Sequence, residues 1–112
     1  MLPKNRRIPR KELGPVVFKG KKYNSPHLLL SIASTDSPQS KFAFSVSKKV
    51  AKSAVERNKY RRRGYSVIGK QLHALKGGYL LMFNFKKGAI PIEFAGLEKE
   101  VLGLLSDSFM LS

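Results

Sequence analysis

The sequence predicts an α+β fold, a two-layer sandwich in which a mixed central sheet packs against helices. Three observations predict it. Residues 42–47 (FAFSVS) alternate strictly, with Phe42, Phe44 and Val46 on one face and Ala43, Ser45 and Ser47 on the other, which is the period of a strand. Residues 53–56 (SAVE) match a capping box, and Tyr60, Gly64, Val67, Ile68, Gln71, Leu72 and Leu75 then fall on one stripe at helical spacing. Residues 79–85 (YLLMFNF) are apolar on both faces, as suits a central strand.

Taken in order, residues 1–11 are polar, basic and interrupted by Pro3 and Pro9, and read as a flexible arm. A helical turn after Pro9 would end at Gly14-Pro15. Val16-Val17-Phe18 is short and apolar, and Gly20 with Lys21-Lys22 breaks it. Residues 27–34 (HLLLSIAS) have the length and composition of a strand, and the turn-rich residues 35–40 (TDSPQS) would join it to 42–47 as an antiparallel hairpin. Glycine costs roughly 1 kcal/mol against alanine inside a helix, so Gly64 on the buried stripe points to close approach of helix and sheet. Gly77-Gly78 supplies the stop. Lys86-Lys87-Gly88 ends the apolar strand, and residues 91–111 carry Ile92, Leu97, Val101, Leu104, Leu105 and Phe109 at helical spacing with acids opposite. Residues 42–85 thus form a β–α–β unit, whose crossover would be right-handed on general grounds. At 112 residues the chain is one domain, without repeats or low-complexity segments.

The formal charge is +15, from 22 Lys/Arg against 7 Asp/Glu. Self-repulsion on that scale calls for a polyanionic partner, nucleic acid first and an anionic membrane surface second. Hydrophobic residues make up 42%, enough for a folded core. The absence of cysteine removes disulfides and thiolate metal sites and suits a reducing cytoplasm. The N-terminus leads into charge rather than an apolar run, so it does not read as a signal peptide, and no apolar run is long enough to span a bilayer. Charge is unevenly placed. Residues 1–22 hold eight Lys/Arg and only Glu12, and residues 41–63 hold nine and only Glu56, whereas residues 89–112 set Lys99 against four acids.

On a helical wheel Arg57, Asn58 and Arg61 face away from the apolar stripe, continued by Arg62 and Tyr65, with Lys59 and Arg63 on the flank. Such a face offers guanidinium forks to phosphates. Lys48, Lys49 and Lys52 lie just before the helix N-terminus, where the amide dipoles add to the positive potential; a polyanion ligand explains them better than stability does. A merely solubilising face would mix signs, and this one does not. No catalytic constellation is found. His27 and His73 read as structural or exposed, Asp36 as a loop residue and Glu56 as a cap, and no carboxylates cluster to hold a metal.

Residues 45–50 (SVSKKV) followed by 54–63 (AVERNKYRRR) resemble the signature of the protein subunit of bacterial ribonuclease P. That family has a strand ending in S-V-S/P-K-K, a short loop, and a helix with an R-N-R-x-K-R motif. Here Lys59 stands for the second arginine, Tyr65 for a common basic residue and Gly64 for a common aliphatic one. The resemblance spans roughly residues 16–107. It implies a ribosomal-protein-like fold with a left-handed crossover, and it assigns the RNA-facing role to Arg57, Asn58, Arg61 and Arg62. It further implies that catalysis belongs to a partner RNA using Mg²⁺, with no cofactor bound by the protein. That RNA cleaves the 5′ leader from precursor tRNA, while the protein, a monomer in a one-to-one complex, holds the leader in a cleft with the help of aromatics. Phe18 and Tyr23 are the nearest candidates for those aromatics, Leu13 and Ser31 standing where many members have one; Phe18 reads equally well as core. The small face bearing Ser45 and Ser47 leaves room for an extended leader and offers hydroxyls to phosphate, although it would also admit a closely packed helix. A structural, ribosomal-protein-like RNA binder and a nonspecific polyanion binder are the competing readings.

Overall fold

A computed structural model describes residues 2–110, apart from the side chains of Val17 and Phe18. Among the described residues the chain forms α1 (Arg10–Lys19), β1 (Lys21–Asn24), β2 (Leu28–Ser34), β3 (Lys41–Ser45), α2 (Ala54–Gln71), β4 (Tyr79–Phe85) and α3 (Phe94–Asp107). The strand order is β1-β2-β4-β3, antiparallel except for the parallel pair β3–β4. The mixed sheet and the α+β class follow the sequence, and β4 is central as its two apolar faces require.

The expected hairpin between β2 and β3 does not form, because β4 lies between them. The loop 35–40 instead passes over the entry to β4: the Thr35 amide donates to the Gly78 carbonyl, and a Cβ on Gly77 would lie 2.0 Å from the Pro38 carbonyl oxygen. A strand apolar on both faces gains more from two neighbours than from an edge. Ser40 ties the crossing together, its hydroxyl donating to the Lys76 carbonyl and accepting from the Tyr79 amide.

The core lies between the sheet and α2 with α3. Leu28, Leu30, Phe42, Phe44, Leu81, Phe83 and Phe85 from the strands meet Tyr60, Val67 and Ile68 from α2 and Leu97, Val101, Leu104 and Leu105 from α3. Helix α2 starts as the capping box predicts, with the Ser53 hydroxyl accepting from the Glu56 amide at 3.4 Å. Gly64 faces the Phe44 ring so closely that a Cβ would lie 2.5 Å from it. Phe44 in turn stacks on Phe83 at 4.7 Å and 8°.

Three further expectations give way. Helix α1 runs through Gly14-Pro15 to Lys19. Proline removes one hydrogen bond there, but on the exposed side, while Val16 is buried and Leu13 partly so in a second cluster with Ile8, Ala43, Leu80 and Met82. This cluster lies across the sheet from α2 and α3. The segment read as a flexible arm packs against the sheet, with Leu2 1% exposed and the Ile8 amide donating to the Phe42 carbonyl at 3.0 Å. Finally, α3 stops at Asp107, and Phe109 is exposed rather than on the buried stripe.

Helix α3 is pinned to the β1–β2 turn through Glu100, whose carboxylate accepts from the His27 ring at 2.5 Å, the His27 amide at 2.9 Å and the Ser25 hydroxyl at 2.5 Å. Burial raises its pKa, and the hydrogen bonds from Ser25 and His27, with the His27 charge, outweigh that and hold it below its ordinary 4.5. A depressed folded-state pKa contributes stability that is complete above pH 4.5 and is lost as pH falls through the folded value. The stability gap between the protein and Glu100→Gln is therefore expected to narrow below that pH in urea titrations; a gap independent of pH would remove the pin.

The two glycines of α2 give a paired prediction. Gly64→Ala is expected to destabilise by about 1–3 kcal/mol through overpacking against Phe44. Gly69→Ala, with nothing within 4 Å of its Cβ, should stabilise by about 0.5–1 kcal/mol. Denaturation midpoints moving the same way would refute the close-approach argument.

Candidate nucleic-acid interface

The open edge of β3 organises the basic surface. Its Phe44 amide donates to the Tyr65 hydroxyl at 3.3 Å, and Arg7 bridges to Phe42 alongside. Tyr65 lies edge-on to Phe44 at 5.2 Å, and the Arg7 guanidinium sits 5.4 Å from the Tyr65 ring centroid. Two Arg7 nitrogens donate to the Leu2 carbonyl at 3.3 and 3.1 Å, fixing the side chain. The edge is thus covered by groups that are themselves cationic or aromatic, which protects it from strand addition.

Residues 58, 61, 62 and 65 fall on one stripe of α2 and face this edge. Arg7, Asn58, Arg61, Arg62 and Tyr65 line one concavity of about 310 Å³. Arg61 donates to the Asn58 side-chain oxygen, which engages the acceptor of that amide and leaves its nitrogen as the donor end on an exposed side chain. Guanidinium forks beside an amide and a ring match the phosphates and bases of RNA.

The other expected site residues divide. Arg57 turns back to the preceding loop, donating to the Ala51 and Lys52 carbonyls at 2.9 and 2.8 Å, so it holds the loop against the helix. Lys48, Lys49 and Lys52 are exposed on that loop, whose turn is closed by the Val50 and Ala51 amides donating to the Ser47 carbonyl. Lys59 and Arg63 flank the Tyr60 ring at 5.7 and 5.5 Å and line a separate groove with Pro91, Glu93 and Phe94.

The expected cleft residues are not brought together. Ser45 is half-buried in register with Asn84, at the open end of the α1 side of the sheet. Ala43 on the same face is already covered by the Ile8–Val16 cluster, so the room there is confined to the Ser45 end. Tyr23 pairs with Leu30 and packs against the core on the opposite face. Without a strand expected at residues 21–24, its side could not be read. Ser47 is exposed beyond β3, and the Phe18 side chain lies outside the described residues. Sequence reasoning missed Arg7, which is distant along the chain; its only signal was the sign purity of residues 1–22.

Among the described residues no three His, Asp or Glu side chains form a group that could hold a metal ion, and no helix is long and apolar enough to cross a membrane.

Known proteins resemble this chain in sequence and in fold. The ribonuclease P protein component of Microcystis aeruginosa is 32% identical over 100 residues, 86% of this chain and 83% of that one. That of Pseudanabaena sp. is 28% identical over 113 residues, covering 99% and 97%. The fold matches the ribonuclease P protein of Staphylococcus aureus with a TM-score of 0.86 at 16% identity, covering 96% of this chain and 98% of that one. The Thermotoga maritima protein gives 0.81 at 17%, covering 90% and 96%. The profile of the Ribonuclease P family matches residues 2–108, nearly the whole described chain, and the chain belongs to that family.

Proposed function

We propose that this protein is the protein subunit of a ribonuclease P holoenzyme, docking the catalytic RNA on the basic stripe of α2 and guiding the 5′ leader of precursor tRNA. The observation that carries the reading is the concavity of Arg7, Asn58, Arg61, Arg62 and Tyr65, where three guanidiniums converge with no carboxylate lining it among the described residues. Arg61 and Arg62 meet phosphates, Asn58 donates its amide to a base or sugar, and Arg7 and Tyr65 close the groove. Lys48, Lys49 and Lys52 extend the positive path beyond the N-terminus of α2, and Lys59 and Arg63 offer contacts on its other flank. Ser45 gives an extended leader a polar floor at the α1 side of the sheet.

In this reading hydrolysis takes place in the partner RNA with its Mg²⁺, and the protein supplies charge neutralisation and leader positioning. The complex is one-to-one and works in the cytoplasm. Arg57 acts by holding the lysine loop.

Reconstitution with a bacterial ribonuclease P RNA at low Mg²⁺ tests this reading. The protein should restore cleavage of precursor tRNA, and no gain would refute the function; stable binding to ribosomal RNA with no dependence on leader length would instead favour a structural RNA-binding role. Arg61→Ala and Arg62→Ala should each weaken binding to that RNA and reduce the salt slope by about one. Unchanged slopes would take those residues out of the interface.

A further inference from the structure

On the other side of the sheet from α1, the molecule holds a second set of aromatic and basic side chains that the reading above does not use. Lys21 and Tyr23 of β1, Lys76, Tyr79 at the start of β4, and Phe109 beyond α3 line an open groove of about 330 Å³ with Met110 at its base. No carboxylate lines it among the described residues. Glu100 and Asp107 line a different depression, with Asn24 and Pro26.

Phe109 is the informative residue. It stands at the left-handed position that closes α3, with φ +61°. Its amide donates to the Ser106 carbonyl at 3.1 Å and the Met110 amide to the Leu105 carbonyl at 2.9 Å, the two bonds of a Schellman cap. Glycine suits that position best, because a side chain crowds the backbone there. Phenylalanine also gains little from burial, being 72% exposed. Neither capping nor packing accounts for the ring. The backbone that carries it is nevertheless anchored, since Met110 is buried and its carbonyl accepts from the Lys76 amide at 3.2 Å.

An exposed ring on an anchored backbone, sharing a groove with a second ring, Tyr79 at 36% exposure, and with two lysines, is the arrangement that holds single-stranded nucleic acid. We propose that this groove binds a single-stranded RNA segment, stacking bases on Phe109 and Tyr79 while Lys21 and Lys76 meet the phosphates. The pairing with lysine favours RNA over a protein partner, since lysine is depleted from the cores of protein interfaces. The proposal rests on RNA being this protein's partner, as above, but concerns a different surface.

The test uses the full chain and a short labelled oligouridylate. Phe109→Gly removes the ring and relieves the backbone, so the variant should melt at the same or a higher temperature while its affinity falls roughly tenfold. Lys76→Ala should weaken binding and flatten its salt dependence. Unchanged affinity in both variants, or no binding by the unaltered chain, would overturn the proposal. So would concentration-dependent self-association that Phe109→Gly abolishes, because the groove would then join copies of the chain. Arg62→Ala assayed in parallel on ribonuclease P RNA keeps the two readings apart. Loss there with no effect of Phe109→Gly on the oligouridylate would leave the function standing and remove the groove.

Discussion

The structure depends on the contact between Gly64 and the Phe44 ring. A helix carrying an ordinary side chain at that position would stand off the sheet, because Phe44 is itself stacked on Phe83 and has no free direction in which to yield. Because α2 comes down onto the sheet here, Tyr65 reaches the edge of β3 and takes the Phe44 amide. That in turn places Asn58, Arg61 and Arg62, which share the Tyr65 stripe, beside the N-terminal segment and Arg7. A missing Cβ in the core thus determines where four polar side chains meet at the surface.

The cationic surface is arranged at some cost to stability. Three arginines converge around one concavity, and Lys48, Lys49 and Lys52 crowd the approach to a helix N-terminus that already carries positive potential. Compensation comes from within the cluster. Arg57 spends its donors on loop carbonyls, Arg61 on Asn58 and Arg7 on Leu2, while Lys59 and Arg63 lie over the Tyr60 ring. Two of the acids are engaged elsewhere, with Glu100 pinning α3 to the β1–β2 turn and Glu98 paired with Lys70.

Sequence reasoning reached α2, its cap, its glycine and the centrality of β4, because each of these is written in local spacing. Strand order was not legible. A loop of six residues suits a hairpin as well as a crossing, and only the meeting of Gly77 with Pro38, far apart along the chain, decides between them. Helix α1 was hidden by Gly14-Pro15, whose cost is met by tertiary burial of Val16 and Leu13. The basic face could be read from the sequence, but not its partition: Arg57 turns to the loop, Lys59 and Arg63 to the far groove, and Arg7 joins from the N-terminus. Tyr23 was placed with Ser45 by resemblance, and the β1 register puts it on the other side of the sheet.

The central claim is that the partner RNA lies on the α2 stripe and the N-terminal segment together, as one surface. Amide hydrogen exchange on the full chain, with and without ribonuclease P RNA, tests it most directly. The account predicts new protection in residues 6–8 and 48–63 appearing at the same RNA concentration. Protection confined to α3, or reaching α2 while leaving residues 6–8 unchanged, would contradict it.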